Sequence, residues 1–509
     1  VPPLVRYSVI GSLYACWLQS GLLAFLSVLF RPLSLAAENS AFVRFLGRDS
    51  VIERSYRNSL FAAILRGIID GLLYLPRRLY EATARARSGS RLLAWCSGSR
   101  LMNFELFLGA FICAMFIAPH NFWSNSYAIL ASGALFVVLA LLAAAGKRPA
   151  FYPHELGFPF LLFVFACFFS LIFTRDMSDS FRVLMFFITA FLLTFIITAA
   201  ITDEASLMKL MGFIYAAVMI TALYAVVQRI MGVKVDMLLT DLANNQGVPG
   251  RVYATLDNPN NYAEFLVLFT PLCAAFAMNV KNPLLRLPLC LAIALPMLAM
   301  LMTYSRSGWI SILIAALVFV YFAEKKLLPL VFVAGILALP FLPDSVMTRV
   351  ASIFNSRDTS TAHRFYVWHG ILMLLGDKGQ WLTGIGLGPE TFNAVYPAYA
   401  RKWATEGVFH SQMLYLELFL ELGALGFCAF MWMMFRNVKN AVFALHRTDS
   451  SVIRLTLIAC CASFIGLAAA SFVEYIWYYP RVLFAFFVLF GICLGATRIN
   501  DKGLEETYE

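Results

Sequence analysis

Apolar runs of about 20 residues, the length of a membrane-crossing helix, recur along almost the whole chain. They do not alternate apolar and polar positions, so the pattern predicts helices rather than the strands of a membrane barrel. Spans are predicted near 8–30, 103–118, 126–145, 156–174, 180–201, 206–232, 259–280, 284–304, 307–323, 327–342, 411–435, 451–475 and 481–498. The first contains Gln19 and precedes a stretch that reads as interfacial, so the count is twelve or thirteen. The expected fold class is an all-α polytopic membrane protein. Its largest non-spanning segment, 343–410, falls between the last-but-three and last-but-two spans.

Four regions follow. Residues 1–102 combine a hydrophobic segment with basic amphipathic helices, 103–342 are transmembrane, 343–410 form a loop domain, and 411–509 hold the last spans and a short tail. Between 31 and 102 stand twelve arginines, no lysine and five acids, with apolar stretches such as Phe61–Leu75 among them. That mixture predicts helices lying on a cytoplasmic membrane surface.

Composition agrees with the pattern. Hydrophobic residues make up 61% of the 509 and charged residues 13%, about half the charge of a soluble domain. The net charge of +10 reads as the positive bias of cytoplasmic loops rather than as nucleic-acid binding. The ten cysteines lie mostly in apolar segments, including Cys113, Cys167, Cys273 and Cys460–Cys461, without C-x-x-C spacing. Neither a structural zinc nor a disulfide framework is expected. The first segment has no clear small-residue cleavage site, so a cleaved signal peptide is not expected.

Loop charges set the orientation. The region 31–102, Lys147-Arg148, Lys281 to Arg286, Lys325-Lys326, Arg436 to Arg454 and the C-terminus with Arg498 are expected inside. Counting spans then puts 233–258, the turn at 303–306 and the segment 343–410 outside. Arg251, Arg306 and His410 share that side.

A charge beside a bilayer is costly, so it marks a substrate path or a partner. Arg306 sits in a small-residue turn with Ser305, Ser307 and Gly308, and a planar guanidinium can hold two phosphate oxygens at once. An arginine at a helix end can also simply snorkel to the interface. Arg251 precedes Asp257-Asn-Pro-Asn260, a turn and helix start where Asn258 stands. The helix N-terminus favours an anion, although a solvated loop arginine reads the same way. His410, before Ser411 and Gln412, can take a proton from an acceptor hydroxyl. A lone interfacial histidine is also a common structural residue. A histidine base implies that rate falls as pH drops through about 6.5. Gln228, Arg364, Tyr415, Glu474 and Arg481 are further polar candidates near this face. Arg364 could join a phosphate or sugar site, or pair with Asp358 or Glu390. His363, His369 and His410 lack compact ligand spacing with acids, so no metal site and no cofactor are expected. Gly384-Ile-Gly-Leu-Gly388 has no following lysine and no βαβ context, which argues against a nucleotide loop; it reads as a flexible turn.

Taken together, the Arg251…Asn258-Pro-Asn stretch, the Ser305-Arg-Ser turn, Gly384 to Phe392, and His410-Ser-Gln followed by Glu421-Leu-Gly423 and Gly426 resemble the O-antigen ligase/polymerase superfamily of bacterial envelope glycosyltransferases. The resemblance covers roughly 200–430. It implies a metal-independent, GT-C-type enzyme of the inner membrane that takes a glycan from an undecaprenyl-diphosphate carrier at the outer leaflet. The acceptor is a hydroxyl on lipid, glycan or protein, and the transfer usually inverts. The essential roles of two arginines and one histidine map onto Arg251, Arg306 and His410. Gln228, Arg364, Tyr415, Asn258 and Arg481 are expected to contact substrate. Where an asparagine is common shortly after the histidine, this chain has Met413. A rival from another class is a lipid-linked glycan transporter, which predicts discontinuous helices and mid-membrane charges. A scaffold recruiting partners through 31–102 would leave the clustered charges unexplained.

Overall fold

The computed structural model describes residues 58–85, 103–233, 250–338, 343–351, 359–377, 379–400 and 408–508, with a few isolated positions besides. The span predicted over 8–30 lies outside the described residues, as do most of 31–57 and 86–102. Every regular element among those described is helical. Nine helical stretches among the described residues, counting Pro283–Met302 and Arg306–Leu337 as one each, are long and apolar enough to cross a membrane, and two shorter apolar ones, Phe104–Ile117 and Phe158–Phe173, join them. The chain is a multi-pass membrane protein.

In chain order the elements are α1 (Leu60–Ala82), α2 (Phe104–Ile117), α3 (Asn125–Ala144), α4 (Phe158–Ser170), α5 (Met177–Ala200), α6 (Glu204–Met231) and α7 (Pro259–Asn279). Then come α8 (Pro283–Ala292), α9 (Ala294–Met302), α10 (Arg306–Glu324) and α11 (Leu328–Ala338). Four short helices, α12 (Asp344–Ala351), α13 (Thr359–Gly376), α14 (Gln380–Thr383) and α15 (Pro389–Val395), precede α16 (Leu414–Leu445), α17 (Ser451–Ala470) and α18 (Pro480–Tyr508). The span predicted over 284–304 is two helices in line, α8 and α9, within a stretch that carries Pro283, Pro288 and Pro296.

Contacts between distant segments sort the helix ends onto two faces. On one, Arg148 pairs with Glu105 and donates to the Ala200 carbonyl, Arg498 pairs with Glu155, and Ser451 bonds Asn279. On the other, Thr255 donates to the Phe116 carbonyl, Thr174 meets Thr391, and the Leu414 amide reaches the Ser471 carbonyl. The second face, called the site face below, holds 250–258, 303–306, the described parts of 343–413, and 471–479. The partition is the one that the predicted spans require.

One crossing is visible only through its ends. The stretch Arg306–Leu337 is continuous enough to read as a single helix, but the backbone turns at Glu324, φ −158° and ψ 83°. Beyond α11, Ser345 Oγ lies 3.0 Å from Tyr304 Oη, and Arg349 Nε donates to the Tyr304 carbonyl. The chain has therefore returned to the end from which α10 set out. The crossings predicted over 307–323 and 327–342 are two.

Lipid tails are as apolar as leucine, so helices here associate by packing rather than by escaping water. Aromatic rings fill the centre, where Phe163, Phe187, Phe430, Phe486 and Phe487 surround Trp477. Small residues allow close crossings: a Cβ on Gly466 of α17 would lie 2.6 Å from the Ser311 carbonyl of α10. Helix α1 packs against the face opposite the site, where Tyr152 donates to Asp70. It leaves Phe61, Ile64, Ile68, Leu72, Leu75 and Leu79 exposed at helical spacing, as an interfacial helix requires.

Helix α16 is broken at Gly423, φ 65° and ψ −170°. The Gly-rich stretch lies against the break. The Ile385 amide donates to the Leu420 carbonyl, the Gly386 amide to the Glu421 carbonyl, and the Gly388 amide to Glu421 Oε1. Gly384 and Gly423 both have positive φ, and a Cβ on either would sit under 3 Å from the other strand's backbone. This segment, expected as a flexible turn, is a fixed brace.

Candidate functional site

Arg251 begins the build. It lies in the loop before α7 and is 7% exposed. Gln228 of α6 fixes that loop, donating to the Ala254 carbonyl at 3.1 Å and accepting from the Tyr253 and Ala254 amides. Arg251 Nε donates to the Thr303 carbonyl at 2.7 Å, and Nη2 bonds Asn260 Oδ1. Asn258 caps α7 by accepting from the Asn260 amide at 2.8 Å, which aims Asn260 back at Arg251. The sequence Asn-Pro-Asn thus serves as cap, first helical residue and side-chain contact in turn.

Arg306 starts α10, directly after the turn that receives Arg251. Ser305 caps that helix, accepting from the Gly308 amide at 3.3 Å. Tyr304, at φ 50°, presents its carbonyl to Arg349 of α12, which is 6% exposed. Burial, then the repulsion of Arg349 and of Arg306, lowers the Arg251 guanidinium to about 9, while Glu474 opposes the shift. Three guanidiniums from three segments therefore share one locality.

Glu474 is the hub. It stands in the loop between α17 and α18. Its Oε1 accepts from Asn260 Nδ2 at 3.2 Å, from Ser307 Oγ at 3.4 Å and from Arg364 Nη2 at 3.2 Å. One carboxylate so connects the α7 start, the α10 start and α13. Arg364 pairs with it rather than with Glu390, and Asp358 lies outside the described residues.

His410 completes the group. Arg364 is close enough to disfavour its charge; with burial as the larger cause, the imidazole is lowered to about 4. The Gln412 amide donates to His410 Nδ1 at 3.0 Å. A backbone N–H can only donate, so the neutral ring carries its proton on Nε2. His410 therefore presents a donor, and at neutral pH it is uncharged. Its ring packs 5.5 Å from that of Tyr475 and 4.6 Å from that of Tyr478. Trp368 and Glu417 hold the neighbouring Ser411 backbone by its carbonyl and amide.

The fold thus brings Arg251, Arg306, Arg364 and His410 together. The other candidates share the face but spend their polar atoms on the protein. Gln228 and Asn258 shape the loop and helix start. Tyr415 donates to the Ala468 carbonyl at 3.0 Å. Arg481, 1% exposed, donates to the Ala118 and Thr255 carbonyls and to Tyr479 Oη, so it clasps three loops. Asn260, Ser307 and Arg349 were not among the sequence candidates. No three His, Cys, Asp or Glu side chains converge as a metal cluster among the described residues.

Residues 290–431 match a family model described as O-antigen ligase. This region is similar to the O-antigen ligase family. The matched stretch holds Arg306, Arg349, Arg364, the Gly-rich brace and His410, and ends just past the break in α16. Arg251 and Glu474 stand outside it. The matched region therefore contributes most of the cluster, while the loop before α7 and the loop before α18 complete it. No curated protein matches the chain.

Proposed function

We propose that the chain is a glycosyltransferase that moves a glycan from a polyprenyl-diphosphate carrier, undecaprenyl diphosphate in bacteria, to an acceptor hydroxyl at the outer leaflet of the inner membrane. The observation that carries this is the convergence of Arg251, Arg306 and Arg349 beside the uncharged donor His410. Like charges held together in a poorly solvated place favour a multivalent anion, and guanidinium forks match diphosphate oxygens. The acceptor oxygen attacks the anomeric carbon from the face opposite the diphosphate. The carbon–oxygen bond to the carrier breaks, and the arginines stabilise the charge developing on the leaving diphosphate, the task a divalent metal performs elsewhere. His410, with Nε2–H as donor, suits orienting the acceptor oxygen better than removing its proton. Helices α12 and α13 bring Arg349 and Arg364 to the site, and the positive loops of the other face support an outward-facing orientation.

The break at Gly423 is the one observation that favours a transporter. Its gap is braced by residues 384–388, and the arginines lie at a face, so transfer accounts for more of the structure. The test is incubation of purified protein with a defined polyprenyl-diphosphate glycan and candidate acceptors, with product mass measured. Product is expected, and it persists in excess EDTA. Abolition by EDTA with rescue by magnesium or manganese overturns the metal-free mechanism. Vesicle-to-vesicle movement of donor without product overturns the transferase.

A further inference from the structure

A cavity of about 200 Å³ opens on the site face beside His410, between α5, α16, the start of α18 and the Gly388–Pro389 turn. At about 30 Å³ per water, it holds roughly seven waters, the space of one sugar ring. Glu417 and Glu421, one turn apart on α16 and 2% and 4% exposed, both line it. The Ser411 amide bonds Glu417; the Gly388 amide and Tyr475 Oη bond Glu421. Neither carboxyl forms an ion pair among the described residues. Trp477, 4% exposed, also lines the cavity, and its indole Nε1 has no hydrogen-bond partner. Tyr475 and Tyr478 supply ring faces, and these are the two rings against which His410 packs.

We infer that this cavity is a saccharide subsite, taking one uncharged ring of the acceptor. Carboxyl oxygens accept from sugar hydroxyls, the orphaned indole N–H donates to one, and aromatic faces receive the ring's C–H side. An alkyl or isoprenoid chain would leave Trp477 Nε1 without a partner and set the remaining lone pairs of Glu417 and Glu421 against an apolar surface. An anionic group would face two carboxyls, and Arg182, the guanidinium on the lining, is already paired with Asp179. The diphosphate therefore belongs with the arginines, and the neutral polyol belongs here, with His410 between the two.

The inference rests on the transferase reading, and the test separates them. Full-length protein in nanodiscs is titrated with methyl glycosides of glucose, galactose and N-acetylglucosamine, followed by saturation-transfer NMR. Saturable binding of at least one is expected. Tyr478→Ala, a substitution of a half-exposed residue, should weaken it about three- to tenfold. Glu417→Gln should weaken it about tenfold. Arg306→Ala should leave it intact while removing donor use. Binding of no glycoside overturns the subsite, as does binding indifferent to Tyr478→Ala in folded protein, or displacement by farnesol alone. Glycoside binding without any transfer sinks the transferase reading and leaves the subsite standing.

Discussion

Arg148 and Arg498 lie at one face of the helix bundle, and Arg251 and Arg364 at the other. At the first face the charge is closed off. Arg148 is paired with Glu105, and Arg498 with Glu155, each beside an aromatic ring, Phe104 and Phe151. At the site face, Arg349 and Arg306 repel Arg251, and Glu474 serves several donors at once. The same residue type thus does two jobs. Paired one-to-one, it fastens helices. Crowded, it makes a place where an anion is favoured. What separates them is which groups folding brings beside each arginine, which local sequence does not carry.

Replacement should make the contrast measurable, and the largest effect is expected at Arg306. Arg306→Ala should cut transfer by about 100-fold or more, and Arg306→Lys should recover little because it keeps charge without the fork. Wild-type turnover in folded Arg306→Ala would erase the distinction. Arg148→Met should do the reverse. It strands buried Glu105, a loss of about 3–5 kcal/mol when one partner of a buried pair is removed. The unfolding midpoint should drop, while turnover per folded molecule stays level. Glu474→Gln should sit between these extremes. It keeps the shape of the hub but removes the charge that offsets the arginines. The donor KM should fall several-fold and its salt dependence should steepen, so an unchanged KM would separate Glu474 from the donor.

Much of the fold was legible because membrane crossing is written in long local runs. The crossings, the two faces and the amphipathic α1 all follow from that. The two-part nature of 284–304 was not, since prolines inside an apolar run break a helix without interrupting hydropathy. Arg251, Arg306 and His410 stand out in the sequence because charge beside a span is rare. Asn260, Ser307 and Arg349 were missed because their partners lie in other segments, and Glu474 earned only a secondary place for the same reason. Gln228, Tyr415 and Arg481 stand out in the sequence too, and the fold engages them within the protein. Their polarity answers backbone carbonyls and amides brought close by folding, as Arg481 answers Thr255, 226 positions away.

The smallest predicted effect is on pH dependence. The His410 pKa, about 4 in the fold, lies below the unfolded value of about 6.5. Between these the unfolded chain binds more protons, so this residue's contribution to stability falls as pH drops from 6.5 toward 4. Its charge state in the fold barely changes above pH 5. Transfer should therefore show no inflection near 6.5 attributable to His410, contrary to the expectation for an ordinary histidine base. His410→Ala should lose transfer yet retain the donor. A rate that falls through 6.5 in wild type and is flat in a partly active His410→Gln would restore the base.

The crowding around Arg251 also has a thermodynamic face. An anion that relieves it binds the folded state and not the unfolded one, so it stabilises the fold by mass action. At about 100 times its dissociation constant, such a ligand adds about 2.7 kcal/mol. The protein's resistance to unfolding then depends on its surroundings: anionic headgroups, free diphosphate and salt all enter the balance. A thermal-shift titration with inorganic diphosphate would read the electrostatics of the arginine cluster without any sugar present.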